Sequence, residues 1–199
     1  MNILNYKKNI KIKISKTQIL NIKYGLFLMK IFPFIKIYLK NVNELYIQCL
    51  PTNLHNLIRL ATFLKLHTNS QYKCLSDICA VDYPDKRYRF EVVYNLVSLQ
   101  YNTRINLTIF IQDSFPLYSL TQLYNSANWL EREVWDMFGI YFYNHHDLRR
   151  LLTDYGFKGH PLRKDFPLSG YTEILYNDFF KKINAKEVAL AQAYRNFSN

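Results

Sequence analysis

Alternation of apolar and polar residues predicts strands in the first part of the chain. Residues 31–50 alternate loosely on both sides of a polar turn at residues 41–43, a pattern typical of a β-hairpin. In the segments 87–99 and 103–112 apolar residues occupy every second position, and a turn at residues 101–103 lies between them. We therefore expect these two segments to pair as an antiparallel hairpin. The three later strand candidates cover residues 74–82, 87–99 and 103–112.

Apolar residues at helical spacing predict two helices. The first covers residues 51–66 and opens on a Pro-Thr-Asn start. The second covers residues 118–138, where Ser119 and Gln122 form a capping-box pattern and Gly139 ends the helix. The order β-β-α-β-β-β-α predicts an α+β fold: a two-layer mixed sheet of about five strands with helices on one face, plus a long irregular C-terminal extension.

Residues 139–176 show neither helical nor strand periodicity. Four of the chain's five glycines lie in this segment of 38 residues, which is much longer than the roughly 12–15 residues of an ordinary loop. Disordered linkers are poor in aromatic residues, because burial of the rings would order them. This segment therefore needs a surface to pack against. It has eight aromatic residues: Tyr141, Phe142, Tyr143, Tyr155, Phe157, Phe166, Tyr171 and Tyr176.

These patterns divide the chain into three parts. Residues 1–30 form a basic N-terminal extension, residues 31–138 the α+β domain, and residues 139–199 an extended partner-binding tail with a short C-terminal helix. Positive charge is concentrated at the beginning, since residues 1–40 carry nine lysines and no acidic residue. Three interpretations stay open: a targeting peptide, an arm for RNA or another anionic surface, and a solvated extension specific to the lineage.

Composition narrows the class of protein. The 88 residues of Phe, Tyr, Met, Ile, Asn and Lys outnumber the 27 of Gly, Ala, Arg and Pro, which indicates an AT-rich genome such as that of an organelle. No apolar run reaches the about 18 residues of a membrane-spanning helix. Three cysteines without a secretory signal favour a reducing compartment over a disulfide scaffold.

The charges of the irregular segment favour a protein partner. Basic and acidic residues are interleaved there with a net charge of +1, whereas an RNA-binding tail would be strongly basic. Arginines and aromatic rings dominate binding energy at protein–protein interfaces. We expect Arg149, Arg150, Arg163 and Asp165 to be polar anchors of such an interface, with Phe157, Phe166 and Tyr171 as apolar anchors.

Three charged residues follow one another in the second predicted helix. Glu131, Arg132 and Glu133 are about 100° apart around the helix, so they cannot face water equally. Glu131 borders the apolar stripe, where a carboxylate needs a partner, and an arginine is the natural one. The functional hypothesis is a charged lock between the helix end and the irregular segment or a neighbour. The alternative is a solvated helix flank.

Residue types capable of metal or nucleotide chemistry are few. Cys74 and Cys79 lie on a predicted strand, where we expect small buried side chains rather than iron–sulfur ligands. Histidines and an aspartate in a loop could ligate zinc, but without a nearby cysteine they favour turn or interface roles. No P-loop or Rossmann glycine pattern is present. The candidate zinc ligands are His145, His146, Asp147 and His160.

The C-terminal third resembles a known family. Residues 129–140, WLEREVWDMFGI, closely resemble a signature of the thirty-kilodalton subunit family of respiratory NADH dehydrogenase. The resemblance continues through His145, residues 147–157 and residues 159–168, and it closes at Glu173 and Tyr176. Upstream, from residue 74, the agreement is looser. Asn144 and His146 depart from the Gly and Pro that the family usually has, and the first 40 residues match nothing in it.

The resemblance implies a non-catalytic subunit in the peripheral arm of complex I, on the matrix side of the mitochondrial inner membrane. In that family the chain carries no FMN, iron–sulfur cluster or ubiquinone, and its extension wraps the forty-nine-kilodalton subunit beside neighbouring iron–sulfur subunits. An organellar RNA- or ribosome-associated protein that uses the lysine-rich arm is the alternative. The candidate interface and structural residues are Glu131, Arg132, Glu133, Asp136, His145, Asp147, Arg149, Arg150, Asp154, Phe157, His160, Arg163, Lys164, Asp165, Phe166 and Tyr171.

Overall fold

Five strands form a mixed sheet in the computed structural model, which describes residues 16–39, 44–50 and 54–190 together with positions 192 and 195. The sheet and the helices packed on it confirm the predicted α+β fold. The predicted turn at residues 41–43 and the predicted helix start at residues 51–53 lie outside the described residues. In chain order the elements are α1 Lys16–Ile31, β1 Ile35–Leu39, β2 Glu44–Cys49, α2 Leu54–Leu66, β3 Cys74–Asp82, β4 Phe90–Ser98, β5 Thr103–Ile111, β6 Leu117–Tyr118, α3 Ala127–Phe138, β7 Phe142–Tyr143, β8 Thr172–Asn177 and β9 Lys182–Glu187.

The strand order of the sheet is β1-β2-β5-β4-β3, in which only β2 and β5 run parallel. Both predicted hairpins are confirmed: β1 pairs antiparallel with β2, and β4 pairs antiparallel with β5. The parallel pair places β5 beside β2 in the middle of the sheet, so β3 becomes the edge strand opposite β1.

One face of the sheet forms the core. The period-two stripes of β4 and β5 point to this face, where Phe90, Val92, Tyr94 and Leu107 have no exposed surface. Helix α2 packs its apolar side on them, and α3 adds Phe138, whose ring centroid lies 6.4 Å from that of Phe90. Each fully buried aliphatic side chain of this kind stabilises the fold by about 2 kcal/mol.

Helix α1 is an element that the sequence pattern did not predict. Its inner side packs on β1 and β2, where Leu28 is fully buried. Gly25 permits this approach, because a Cβ atom there would lie 3.1 Å from Cδ1 of Ile37. Apolar residues occur all around α1, so no single stripe marks it as a helix in the sequence. No helix among the described residues is long and apolar enough to cross a membrane.

Helix α3 is shorter than predicted. It begins at Ala127 rather than near residue 118, and the capping box at Ser119 is wrong, because residues 117–118 form strand β6 beside β7. The predicted end is confirmed. Gly139 has a left-handed φ of 75°, and its N–H donates to the carbonyl of Trp135 at 2.9 Å.

The tail contains a hairpin where the sequence predicted none. Strands β8 and β9 pair antiparallel, with Ile174 opposite Ala185. The predicted short C-terminal helix is absent from residues 139–190, and most of the chain beyond residue 190 lies outside the described part. Residues 139–171, which connect α3 to β8, are called the strip below.

Candidate interaction site

Helix α3 supplies a row of buried polar groups that receives the strip. Glu131 and Asp136 have no exposed surface, and Arg132 is 8% exposed. Burial of a charged group is unfavourable unless it is paired or hydrogen-bonded. The contacts of Asp136 and Arg132 therefore show how the strip is held, and those of Glu131 show how α3 is joined to the segment after β6.

Asp136 binds a turn of the strip. Its Oδ2 atom accepts hydrogen bonds from the backbone N–H groups of Leu151 (3.2 Å), Leu152 (2.8 Å) and Thr153 (2.9 Å). Its Oδ1 atom accepts from the Thr153 hydroxyl at 2.7 Å and lies 3.4 Å from the Arg150 guanidinium. Burial alone would raise the pKa of Asp136, but these hydrogen bonds outweigh it and hold that pKa below its usual value.

Arg132 binds the same turn as a hydrogen-bond donor, whereas Asp136 binds it as an acceptor. Its Nε donates to the carbonyl of Arg149 at 3.2 Å, and its Nη2 donates to that of Arg150 at 3.5 Å. The guanidinium lies 5.5 Å from the ring centroid of Trp129, which adds a cation–π contact. Asp136 and Arg132, one helix turn apart, thus bind backbone N–H groups and carbonyl groups of the strip, respectively. Together they fix the position of this part of the strip along the helix.

The strip also satisfies the last carbonyls of α3, which have no partner within a helix. His160 donates from Nδ1 to the carbonyl of Asp136 at 2.9 Å. The N–H of Leu162 donates to the carbonyl of Met137 at 3.1 Å, and Nε of Arg163 donates to that of Phe138 at 2.6 Å. The strip therefore acts as the C-terminal cap of the helix.

We expect Gly139→Ala to lower the free energy of unfolding by about 2 kcal/mol. The left-handed φ of 75° is unfavourable for alanine, and its Cβ would lie 2.6 Å from Nε2 of His160. Denaturant unfolding of the isolated chain measures the change. Gly156→Ala is the matched control, because its φ is also positive but its Cβ would meet nothing within 4 Å. Equal losses in the two variants would contradict a packing role for Gly139.

A second set of charges holds the strip to the end of the sheet. The buried Asp82 of β3 binds the Arg89 guanidinium at 2.8 and 2.9 Å and accepts the backbone N–H of Lys164 at 2.8 Å. Arg89 also binds Asp165 at 2.9 Å. These bonds lower the pKa of the Asp82 carboxyl, with the hydrogen bond from Arg89 as the largest cause.

Asp113, just after β5, completes this set. It accepts hydrogen bonds from both terminal nitrogens of Arg163, at 3.3 and 2.8 Å. Sequence reasoning missed Asp82, Arg89 and Asp113 as partners of the strip. One signal was present, since Asp82 and Arg89 flank the turn between β3 and β4 and so lie at the same end of the sheet. Nothing in the sequence brings Asp113 to them.

We expect Arg89→Lys to lower the free energy of unfolding by about 1–2 kcal/mol. Lysine keeps the charge but cannot bind Asp82 through two parallel N–H donors while it also reaches Asp165. Hydrogen exchange at the amide of Lys164 measures the loosened contact. Arg87→Lys is the control, because Arg87 is exposed on the same turn. Unchanged protection at Lys164 would contradict the assigned role of Arg89.

Glu131 is held by neutral groups and not by the arginine that the sequence predicts. Its Oε2 accepts the Ser119 hydroxyl at 2.6 Å, and its Oε1 accepts the backbone N–H of Leu120 at 2.8 Å. Nε2 of His145 lies 3.9 Å away but donates to the carbonyl of Asn128. Because burial outweighs these hydrogen bonds, the pKa of Glu131 rises to about 7. Glu131 therefore joins α3 to the segment after β6.

The other predicted site residues lie farther out. Glu133 and Lys164 have exposed side chains, and the Asp147–Arg149 pair is a surface ion pair at 3.0 Å. Asp154 accepts the N–H of Tyr155 in its own turn. Three rings of the strip form a small cluster with centroid separations of 5.9 and 5.4 Å, contributed by Phe157, Phe166 and Tyr171.

Intrachain contacts therefore occupy several residues that we expected to anchor a partner. Arg150, Arg163 and Asp165 bind Asp136, Asp113 and Arg89 of the same chain. Their contact with another protein stays a prediction. Many apolar side chains of the strip and the hairpin have no such cover, although Ile140 and Phe142 at the start of the strip are buried in the core. Those at least half exposed are Tyr141, Tyr143, Leu152, Tyr155, Leu162, Leu168, Tyr171, Ile174, Tyr176, Phe179, Phe180 and Ile183.

The cysteines do not fit an iron–sulfur cluster. Cys74 and Cys79 are exposed on β3, so the prediction that they are buried is wrong, and Cys49 is buried on β2. Three strand spacings separate β2 from β3, about 14 Å, which is too far for one cluster. Partial desolvation on the strand, followed by the hydrogen bond that the thiol donates to Asp77 at 2.9 Å, raises the pKa of Cys79 to about 11. Within the described residues, no group of three or more His, Cys, Asp and Glu side chains could hold a metal ion.

Comparison with known proteins gives consistent matches. Residues 51–172 match the family described as the 30 kDa subunit of respiratory-chain NADH dehydrogenase. The chain is 50% identical over 177 residues to NADH-ubiquinone oxidoreductase subunit 9 of Reclinomonas americana, covering 88% of this chain and 85% of that protein. It is 54% identical over 146 residues to NADH dehydrogenase [ubiquinone] iron-sulfur protein 3 of Patellifolia webbiana, covering 73% and 76%.

Solved structures show the same fold. A trypsin-resistant fragment of Nqo5 matches with a TM-score of 0.53 at 30% identity, covering 64% of this chain and 99% of the fragment. A chain of the membrane-bound sulfane sulfur reductase, an archaeal respiratory membrane complex, matches with a TM-score of 0.61 at 22% identity, covering 75% and 86%. The second likeness concerns the fold alone.

Proposed function

The chain belongs to the family of 30 kDa subunits of respiratory-chain NADH dehydrogenase, and we propose that it is a non-catalytic structural subunit of proton-pumping NADH:ubiquinone oxidoreductase. It lies in the peripheral arm, on the matrix side of the mitochondrial inner membrane, and meets the membrane only through the complex. Its C-terminal region clamps the forty-nine-kilodalton subunit of the quinone module and contacts neighbouring iron–sulfur subunits.

One observation carries this proposal: an apolar surface that the described residues of the chain leave uncovered. In the β8–β9 hairpin, Phe179 is 86% exposed, Phe180 60% and Ile183 69%. Soluble monomers rarely expose a contiguous apolar patch of this kind, and such patches mark sites of protein interaction. The charged contacts on the inner side of the strip hold it in place, so its exposed rings and the hairpin are free to bind a partner.

The proposal assigns no cofactor to this chain. FMN, the iron–sulfur clusters and ubiquinone belong to other subunits. The separation of Cys49 from Cys74 and Cys79 supports this, because the three thiols cannot reach one cluster. The alternative of an RNA-binding protein is not proposed, since the family to which the chain belongs is that of a respiratory subunit.

Replacing the exposed apolar side chains of the hairpin tests the proposal. We expect the triple variant Phe179→Ser, Phe180→Ser, Ile183→Ser to fold as the wild type does, since these side chains are largely solvated. Its incorporation into the NADH:ubiquinone oxidoreductase should fall at least tenfold, because each buried aromatic anchor contributes about 2 kcal/mol or more to binding. Native gel electrophoresis and NADH:ubiquinone reductase activity measure the loss.

The control is Leu99→Ser, in the turn between β4 and β5, where the side chain is 80% exposed. This variant should assemble normally. Normal assembly of the triple hairpin variant would overturn the proposed clamp. Limited proteolysis of the intact complex gives a second readout: free cleavage between residues 139 and 176 would show that the strip and hairpin are not bound there.

A further inference from the structure

Within the described part of the chain, the outward side of α1 is largely uncovered, with the Phe27 ring at its border 5.9 Å from the ring of His67. Its apolar side chains stay 41–64% exposed, although the opposite side of the helix is packed on the sheet. Lys23 and Lys30 are exposed on the same outward side, one heptad apart, and so separated by about 10 Å along the helix axis. The exposed apolar residues of α1 are Ile19, Leu20, Leu26, Phe27 and Ile31.

Helical geometry sets the two lysines along the middle of this side. Ile19 and Leu26 lie on one flank of Lys23, and Leu20 and Phe27 lie on the other, because residues three and four apart are neighbours on a helix. No acidic residue occurs before Glu44, so no acidic group of this part of the chain compensates the lysines. A surface that covers this side must therefore combine apolar flanks with central negative charge.

This arrangement distinguishes between three possible occupants. A helix that lies on a bilayer buries a continuous apolar face and keeps its lysines at the margins. Here, insertion of the apolar flanks would carry Lys23 and Lys30 into the acyl region. A nucleic acid would bind the lysines but leave five apolar side chains without a matching surface. An amphipathic helix with an acidic row between apolar residues fits both features.

We propose that the outward side of α1 docks an acidic amphipathic helix of another subunit of the respiratory complex. The inference rests on the proposed function for its setting, but it concerns a different surface from the strip and the hairpin. The apolar flanks of α1 interlock with those of the partner helix, and Lys23 and Lys30 pair with its carboxylates.

Zero-length cross-linking of the purified complex tests this docking. A water-soluble carbodiimide joins a lysine amine to a carboxylate as an amide, with loss of water, only where the two groups are in contact. We expect cross-linked peptides that join Lys23 and Lys30 to Asp or Glu residues of one other subunit. The acceptor carboxylates should be spaced three, four or seven residues apart, as on one face of a helix.

Variants with reversed charge give a functional readout. Lys23→Glu combined with Lys30→Glu should reduce retention of the chain in the complex about tenfold in high-resolution native gels, because like charges would face each other. The matched control is Lys73→Glu combined with Lys86→Glu, two exposed lysines outside α1, which should be retained as the wild type is. Equal loss in both double variants would overturn the proposal.

The outcomes separate this inference from the proposed function. Absence of the wild-type chain from the complex would refute both. Presence of the chain without intersubunit cross-links at Lys23 and Lys30 would refute only the docking. Binding of the full chain to phosphatidylcholine–cardiolipin vesicles or to a single-stranded RNA oligonucleotide, abolished by the reversed charges, would replace the protein partner with a membrane or a nucleic acid.

Discussion

Replacing Asp136 with alanine is expected to lower the free energy of unfolding by about 3–5 kcal/mol and to release residues 149–160 from helix α3. The carboxylate is fully buried and accepts three backbone N–H groups and one hydroxyl of the strip. Alanine would leave those donors without an acceptor and the Arg150 guanidinium without its counter-charge. Loss of an acceptor in a buried network costs more than the net value of the bonds themselves.

Hydrogen exchange and denaturant unfolding measure this effect together. In Asp136→Ala, the amides of Leu152 and Thr153 should lose most of their protection, while amides of β4 should follow the global change. Asp147→Asn is the control on the strip itself, because the side chain of Asp147 lies in a surface ion pair with Arg149. That variant should change stability by about 1 kcal/mol or less. Retained protection at Leu152 in Asp136→Ala would contradict the anchoring role.

Glu131 should make the protein less stable as the pH rises from about 4.5 to about 7. Its pKa is raised from 4.5 to about 7 because the side chain is buried. Between these values the folded state binds more protons than the unfolded state, so stability falls with increasing pH and levels off above the folded pKa. The loss is on the order of 3 kcal/mol, since each pKa unit corresponds to about 1.4 kcal/mol.

Glu131→Gln should remove this part of the pH dependence. Glutamine can accept the N–H of Leu120 and donate to Ser119 without a charge, so the variant should equal or exceed the wild type in stability at pH 8. Unfolding measured from pH 4 to pH 8 tests the difference between the two curves. Glu133→Gln is the control, because Glu133 is exposed on the same helix and should leave the slope unchanged.

Neighbouring groups add to the pH dependence of stability that Glu131 contributes. Burial lowers the pKa of His145, which faces Glu131, so His145 opposes the trend below its unfolded pKa of 6.5. The tyrosine hydroxyl of Tyr94 titrates far above this range, because the ring is fully buried. A difference between the wild-type and Glu131→Gln curves that stays constant from pH 5 to pH 7 would show that Glu131 is ionised in the folded state throughout.

Local pattern was enough to predict the sheet. The period-two stripes of β4 and β5 appear as buried positions in the structure, because alternation along a strand maps directly onto the two faces of a sheet. The C-terminal stop at Gly139 was equally local, since glycine tolerates the left-handed conformation there. The start of α3 could not be predicted from the local sequence. Ser119 resembled a helix cap, but its hydroxyl binds Glu131 twelve residues later.

The sequence alone determined the α+β sheet, the family, and the presence of an irregular, ring-rich C-terminal segment. Only the tertiary structure decided which residues hold that segment to its own domain and which stay exposed. Asp82 and Lys164 meet across 82 positions of the chain, and Arg163 reaches Asp113 across 50. Contacts at such separation depend on how the sheet and α3 pack together. A pattern that repeats every two or four residues contains no record of that packing.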